Sequence, residues 1–347
     1  FDNVVGLLGY GFSLGIETLQ MDNCLLRDNI GSSLIYVNGG EIKNSEMYNN
    51  SSSSYFIYNI TSLRNCKIYS NYTGGGGGNA AISGGSIYNC LFYDNTASTY
   101  DDNGIVALDD GSSTIINCTF ADNTNGTIWV KAGTHNITNC IFKDNSGAHD
   151  VHHDGGTVNL TYSWYEATEG TIASTAGSTT AGSVDFVNQG GDDYRIGYSS
   201  ACNNTGTATG APSVDFAETA RNGDSQGYDM GAYEYLCSTP VPGTPATTDS
   251  QICNGTTGTL TLSGNGARSI KWQQSPNGSN TWTDVSTGSG YTTNSFTTAA
   301  LSATTYYRVA ASCNSGDWSD QVNSATVITM TVPTGNKYVD NDNGSNT

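Results

Sequence analysis

Three of the four histidines fall inside six positions, His149-Asp150-Val151-His152-His153-Asp154. Imidazole and carboxylate at that density are the donor types of a transition-metal site, so His149, His152, His153 and Asp154 are candidate ligands. A second run, Asp340-Asn341-Asp342-Asn343-Gly344-Ser345-Asn346, sets Asp340, Asp342 and Asn346 at the alternating oxygen spacing of a calcium loop, without the bidentate Glu that completes an EF-hand. No cofactor is expected beyond a calcium ion there. Paired carboxylates at Asp101-Asp102, Asp109-Asp110 and Asp192-Asp193 are the groups that acid–base cleavage of a glycan requires. Each pair lies beside Gly, Asn or Ser, the company of solvated turns, and bases to complete such a site are sparse, with 12 Lys and Arg against 31 Asp and Glu. No catalytic residue is assigned, and the chain is read as a non-enzyme.

The elements that must carry these groups form a repeat. The pattern N-[CS]-x-[LIMF]-x-x-N occurs first as Asn23-Cys24-Leu25-Leu26-Arg27-Asp28-Asn29 and again at residues 44–50, 65–71, 89–95, 117–123 and 139–145. Successive starts are 21, 21, 24, 28 and 22 residues apart, so one unit recurs and insertions fall between copies, as in a solenoid. A leucine-rich repeat would need several Leu per copy, whereas the filling here is Asn, Ser, Thr, Gly and Tyr, which disfavours helix. Alternation in Cys118-Thr119-Phe120 and Cys140-Ile141-Phe142 puts Cys and Phe on one face of a strand. The expected fold is all-β, a right-handed parallel β-helix followed by an Ig-like β-sandwich. At about 4.8 Å per coil, roughly eight coils between residues 15 and 185 make a rod about 40 Å long.

Stacking of equivalent side chains explains the repeated Asn and Cys without catalysis. Asn23, Asn44, Asn65, Asn89, Asn117 and Asn139 are expected to stack their amides at the turns. Cys24, Cys66, Cys90, Cys118 and Cys140, with Ser45 and Ser163 in register, are expected to form an internal column of unreactive free thiols, since parallel in-register neighbours suit disulfide geometry poorly.

A formal charge of −19 repels nucleic acid and anionic membrane surfaces, and no apolar run approaches the length of a membrane-spanning helix. The remaining cysteines occur as two even pairs in Thr-, Ser- and Gly-rich surroundings that suit an oxidising compartment, giving expected disulfides Cys202–Cys237 and Cys253–Cys313. A Pro-rich stretch at 238–248 reads as a linker. The domains are thus a β-helix with its closing module (1–237, the module from about 186), the linker, a sandwich (249–334) built from short alternating runs around Trp272 and Tyr306-Tyr307, and a tail (335–347).

The Asn-Cys coils resemble the β-helix regions of pectate-lyase-like surface proteins. The segment carrying Asp193-Tyr194-Arg195-Ile196, Ser199-Ser200-Ala201-Cys202 and Asp229-Met230-Gly231-Ala232-Tyr233-Glu234 resembles the closing module of the choice-of-anchor β-helix family, with Ala201 where that family has Pro. The second domain is similar to Ig-like modules of large secreted proteins of Bacteroidetes-type bacteria. The polygalacturonase motifs N-T-D, H-G and R-x-K are absent. This resemblance implies an extracellular or cell-surface protein. The tail Lys337-Tyr338-Val339-Asp340 looks like the opening strand of another β-helix of the same family, so it is expected to dock on the next copy, head to tail. The function expected is that of a structural, adhesive repeat module building a fibre or filament. One alternative is carbohydrate binding, with Tyr48, Tyr69 and Tyr93 in one outward column facing surface glycans, and a second is a polysaccharide lyase. Neither nucleic-acid binding nor membrane insertion is expected.

Overall fold

The computed structural model describes residues 5–6, 14–16, 18–74, 80–82, 85–98, 104–109, 111–147, 149–222, 227–237, 239–267, 269–313, 318 and 321–333. Asp101, Asp102, Asp110 and the whole tail, including Lys337, Tyr338, Val339, Asp340, Asp342 and Asn346, lie outside the described residues. Two compact units divide between Leu236 and Cys237.

The heptad explains the first unit locally. Its opening Asn takes a left-handed backbone, with φ between 49° and 55° at Asn23, Asn44, Asn65, Asn89, Asn117 and Asn139. Asp28, Asn49, Ser70, Asp94, Asp122 and Asp144, five residues on, do the same at φ 53° to 60°. Asn and Asp tolerate this conformation better than other side chains. Two such corners bracket a three-residue strand, and the chain bends at both.

Every coil therefore lays its strands on those of the coil before, parallel and in register. The Tyr-bearing sheet runs Val5–Gly6, Leu25–Arg27, Glu46–Tyr48, Lys67–Tyr69, Leu91–Tyr93, Thr119–Ala121, Ile141–Lys143. A His-bearing sheet runs from Leu14–Ile16 through Ile35–Val37, Ile57–Tyr58, Ala80–Ile82, Val106–Leu108 and Ile128–Val130 to Val151–His153. An eight-stranded sheet extends from Leu19–Asp22 to Ile172–Ser174, and a short four-stranded one begins at Ile30–Gly31. The result is a parallel β-helix. Its inward column Leu26, Met47, Ile68, Phe92, Phe120, Phe142 is buried, and the three Phe rings stack at 4.8 and 4.9 Å. Truncating Phe120 to Ala would cost about 3–5 kcal/mol, transfer and cavity terms together.

Two polar columns share this interior. The closing Asn of each heptad forms the amide ladder, with Nδ2 donating to the next Oδ1 from Asn29 to Asn50, Asn71, Asn95, Asn123 and Asn145 at 2.8 to 3.0 Å. The ladder ends on Asp150, whose Oδ1 accepts the Asn145 amide at 3.1 Å. The opening Asn do stack in part, Asn65 Nδ2 donating to Asn44 Oδ1 and Asn139 Nδ2 to Asn117 Oδ1 at 3.3 Å. The core ladder that the sequence reading gave them belongs instead to the closing Asn, because the left-handed corner turns the opening residue outward, leaving Asn23 and Asn44 exposed. The residue after each corner points in. Cys24, Cys66, Cys90, Cys118 and Cys140 are buried, and all five donate Sγ to the carbonyl two residues back at 3.1 to 3.4 Å. Ser45 and Ser163 sit in the same register, each accepting a cysteine N–H. Burial pushes the Cys90 and Cys140 thiols up, away from the reactive thiolate.

The second unit is antiparallel. One sheet orders Thr244–Thr247, Thr259–Ser263, Ser295–Thr297, and the other is centred on Ser269–Ser275 and Thr305–Ser312. Trp272, Phe296 and Tyr307 fill the core between them. Two expectations are overturned here. The stretch read as a linker supplies the edge strand Thr244–Thr247, paired with Thr259–Ser263, and Pro245 is tolerated because that strand has a partner on one side only. Of the expected disulfides Cys202–Cys237 and Cys253–Cys313 neither forms, and the bond joins Cys237 to Cys313. Cys202 is buried in the first unit beside Met230 and Ile196, and Cys253 sits exposed in a turn.

Candidate functional site

Residues 186–236 fold back over the outer face of the Tyr-bearing sheet. A hairpin, Phe186–Asn188 with Asp193–Ile196, sets Tyr194 against Tyr93 at 4.9 Å. Tyr194 also donates its hydroxyl to Asp122, and the Gln189 side-chain amide continues the strip, Nε2 donating to Asp122 and Asp144 at 2.8 to 3.0 Å. The rest is held by the outward Asn corners. Asn89 Nδ2 donates to Val214 O at 2.8 Å, Asn117 Nδ2 to Asp229 O at 3.1 Å, and Asn139 Nδ2 to Thr207 O at 2.7 Å.

The Asp229-Met-Gly-Ala-Tyr-Glu234 motif forms the buried latch of this segment. Arg221 Nη1 meets Glu234 Oε2 at 3.1 Å with both side chains inaccessible, and Nη2 donates to Asn89 Oδ1 at 2.9 Å and to the carbonyls of Gly231 and Ala232. Asp229 accepts the Asn204 N–H at 2.6 Å and that of Tyr235. Asp215 accepts the N–H groups of Ala217, Thr219 and Glu234 at 2.7 to 2.8 Å. Burial, with the Glu234 charge beside it, lifts Asp229 to about 7, and burial also lifts Glu234 and lowers Arg221. These groups tie backbone to backbone in a buried polar network that leaves Arg221 Nε without a hydrogen-bond partner among the described residues.

At the margin of this segment lies a cleft of about 270 Å³ lined by Asn44, Ser45, Glu46, Asn65 and Lys67 of two adjacent coils and by Phe216 and Glu218 of the closing segment. The sequence reading missed it. The available signal was a charged Glu46 and Lys67 at a strand position that is Val, Leu, Thr or Ile in the other described coils.

The sequence candidates are dispersed. His152 lies between two carboxylates, Nδ1 to Glu169 at 2.7 Å and Nε2 to Asp154 at 2.8 Å. Burial opposes its charge, but Glu169 and Asp154 outweigh that and raise its pKa. His149 reaches Glu169 at 3.3 Å, while His153 turns away to Gly156 O at 3.1 Å. Trp129 Nε1 donates to Asp154 at 2.6 Å. No group of three or more His, Cys, Asp and Glu able to hold a metal ion is found among the described residues, and of the candidates His149, His152, His153 and Asp154 the structure brings His149, His152 and Asp154 into ion-pair and hydrogen-bond contacts around Glu169. The carboxylates there are already hydrogen-bonded to imidazole and indole. Asp109 pairs with Lys131 at 2.8 Å, and Asp193 with the Arg195 guanidinium. Tyr48, Tyr69 and Tyr93 do form one outward column, but their rings stack on each other at 4.7 and 4.9 Å and Tyr93 is buried, so their faces are largely covered.

Residues 241–334 match a domain of unknown function (DUF8696). Neither the curated proteins nor the solved structures give a match. Residues 14–188, just over half of the 347, match the right-handed β-helix region family. The stacked coils, with their in-register parallel sheets, are the structure that family describes, and the chain belongs to it.

Proposed function

We propose that this chain is a structural, non-catalytic module of an extracellular surface protein of bacterial type, in which an Ig-like unit follows a β-helix of choice-of-anchor type and modules join end to end. The observation that carries this reading is the contrast between the ends of the solenoid. At the C-terminal end the Asn ladder stops on Asp150, whose Oδ2 accepts the N–H groups of Glu166 and Ala167 at 2.7 and 3.2 Å. Trp164 closes over the last coil, its Nε1 bonded to Ala181 O. Ile172–Ser174 is an outer strand at this end too, so the contrast lies in the Asp150 and Trp164 cap and not in the strand order. At the other end the outer strands among the described residues are Val5–Gly6, Leu14–Ile16, Leu19–Asp22 and Ile30–Gly31. Such edges recruit further strands, from the same polypeptide or from a second copy. A head-to-tail contact that does not close on itself propagates as a filament.

The non-catalytic reading draws support from Asp109 and Asp193, each held by a neighbouring base. A disulfide, and the lack among the described residues of any helix long and apolar enough to cross a membrane, are compatible with secretion. Cryo-electron microscopy of the native material with mass determination under denaturing conditions tests the reading. Filaments dissociating to subunits of about this chain's 36.4 kDa support non-covalent joining, and a far heavier covalent chain supports tandem modules. Monomers with no axial order, with or without residues 334–347, would sink it.

A further inference from the structure

The cleft beside the closing segment has a composition that the repeat does not explain. Leu25, Glu46, Lys67, Leu91, Thr119 and Ile141 form one outward column on adjacent strands. Leu91, Thr119 and Ile141 are buried under the closing segment. Glu46 and Lys67 stand where that cover stops, and its rim supplies Phe216 and Glu218. Solvent contact accounts for charge at those two positions, but not for how the charges are left. They are neighbours in register and form no ion pair. Glu46 Oε1 accepts the Tyr69 hydroxyl at 2.7 Å instead. The Lys67 ammonium, 5.8 Å from the Phe216 ring centroid, makes no hydrogen bond or ion pair among the described residues, and neither does the Glu218 carboxylate.

The opposite wall is rigidly placed. Glu218 is held at φ 63°, a left-handed conformation uncommon for its residue type, by a turn in which Asp215 Oδ1 accepts the N–H groups on both sides of it, Ala217 at 2.8 Å and Thr219 at 2.7 Å. Phe216 is fixed by its N–H bond to Ala232 O and by edge contact with Tyr233 at 5.5 Å.

We propose that this cleft binds a single neutral sugar residue. Sugar hydroxyls both donate and accept, and the walls offer each complement: an ammonium without a polar partner among the described residues, two carboxylates and the Oδ1 of Asn65, whose Nδ2 is bonded to Asn44. Phe216 supplies an apolar surface for the C–H face of a ring. Two carboxylates against one ammonium, in a chain of formal charge −19, disfavour an anion. The volume, about 270 Å³, is just under the roughly 300 Å³ at which drug-sized sites begin, which suits one ring and not a buried chain. This inference does not depend on end-to-end assembly.

Saturation-transfer NMR on the full chain tests it, with glucose, galactose, mannose and N-acetylglucosamine each as free sugar, methyl glycoside and one disaccharide, and methyl glucuronide as the anionic probe. The expected result is transfer to the ring protons of at least one neutral glycoside, weakened about tenfold or more in Lys67→Gln and Glu218→Gln at unchanged melting temperature. Transfer confined to the terminal ring of a disaccharide identifies a glycan chain end, and equal transfer from free sugar and glycoside identifies a free sugar; either supports the site. No transfer from any neutral glycoside to folded protein, binding unaltered in both variants, or preference for the glucuronide overturns it. Phe216→Leu, which keeps apolar packing and removes the ring, separates loss of stacking from loss of fold.

Discussion

The opening and closing asparagines of each heptad are the same residue type six positions apart, and the solenoid uses them in opposite ways. The closing Asn points in, donates to its equivalent one coil on, and is buried from Asn50 to Asn123. The opening Asn turns out at a left-handed corner and takes whatever partner lies outside. Asn44 takes Asp22 at 2.9 Å, and Asn89, Asn117 and Asn139 take the closing segment, with only long 3.3 Å bonds from Asn65 to Asn44 and from Asn139 to Asn117 along the column. One column is self-sufficient, and the other is a row of hooks whose burden depends on what is hung there. A repeat can thus carry a non-repeating structure without altering its own interior.

The sharpest way to break this comparison is to cut the hooked structure free. Arg221→Ala would leave Glu234 buried and unpaired and take the partner from Asn89, a loss of about 4 kcal/mol for a broken buried pair. Chemical denaturation followed by limited proteolysis should show residues 186–236 released before the coils unfold; simultaneous loss would mean that the coils depend on their cover. Within the self-sufficient column, Asn95→Ala strands the Asn71 amide and the Ile68 carbonyl, costing about 3 kcal/mol in urea denaturation.

The end of that column should respond to pH. Burial lifts Asp150 from 3.8 to about 6, against the bonds it accepts from Glu166, Ala167 and Asn145. Between those values the folded state holds a proton that the unfolded state has released, so this residue's contribution falls as pH rises from about 4 to 6 and stays low above, a change of about 3 kcal/mol. Urea midpoints across that window should slope less in Asp150→Asn, and the difference separates Asp150 from Asp229. An identical slope in the variant would remove Asp150 as the terminating group. The smallest effect belongs to an exposed corner. Asn44→Ala should cost about 1 kcal/mol for a left-handed Ala, and Asn44→Gly should restore most of it in thermal melts; an equal loss in both would credit the Asp22 bond instead of the backbone.

The coils were legible because their information is local. Seven residues hold two corners, one strand and three inward side chains, and a spacing of 21 to 28 residues repeats them. Which Asn faced inward was not legible, because both satisfy the same composition and only the backbone hand at the corner decides. The closing segment could be recognised by its Asp229 to Glu234 motif, but not where it docks. Arg221 finds Asn89 across 132 positions, and nothing in either neighbourhood encodes the pairing. The cleft was hidden for the same reason, since Phe216 and Glu218 come from that segment and Glu46 and Lys67 from the repeat. Counting cysteines in even pairs failed because Cys202 had already joined the apolar core with Trp164 and Val184, leaving Cys237 to find Cys313.

That bookkeeping of sulfur sets an order of events. Six of the nine cysteines end as sequestered thiols and one as an exposed thiol, leaving a single bridge. In an oxidising compartment an unwound chain presents all nine to oxidant at once, and most pairings among them are wrong. Burial lifts the Cys202 thiol to about 12, and Cys90 and Cys140 likewise move away from ionisation once the coils close. Fidelity of the Cys237–Cys313 bridge is then a race: coil closure ahead of oxidation yields one product, and oxidation ahead of closure yields a scrambled mixture.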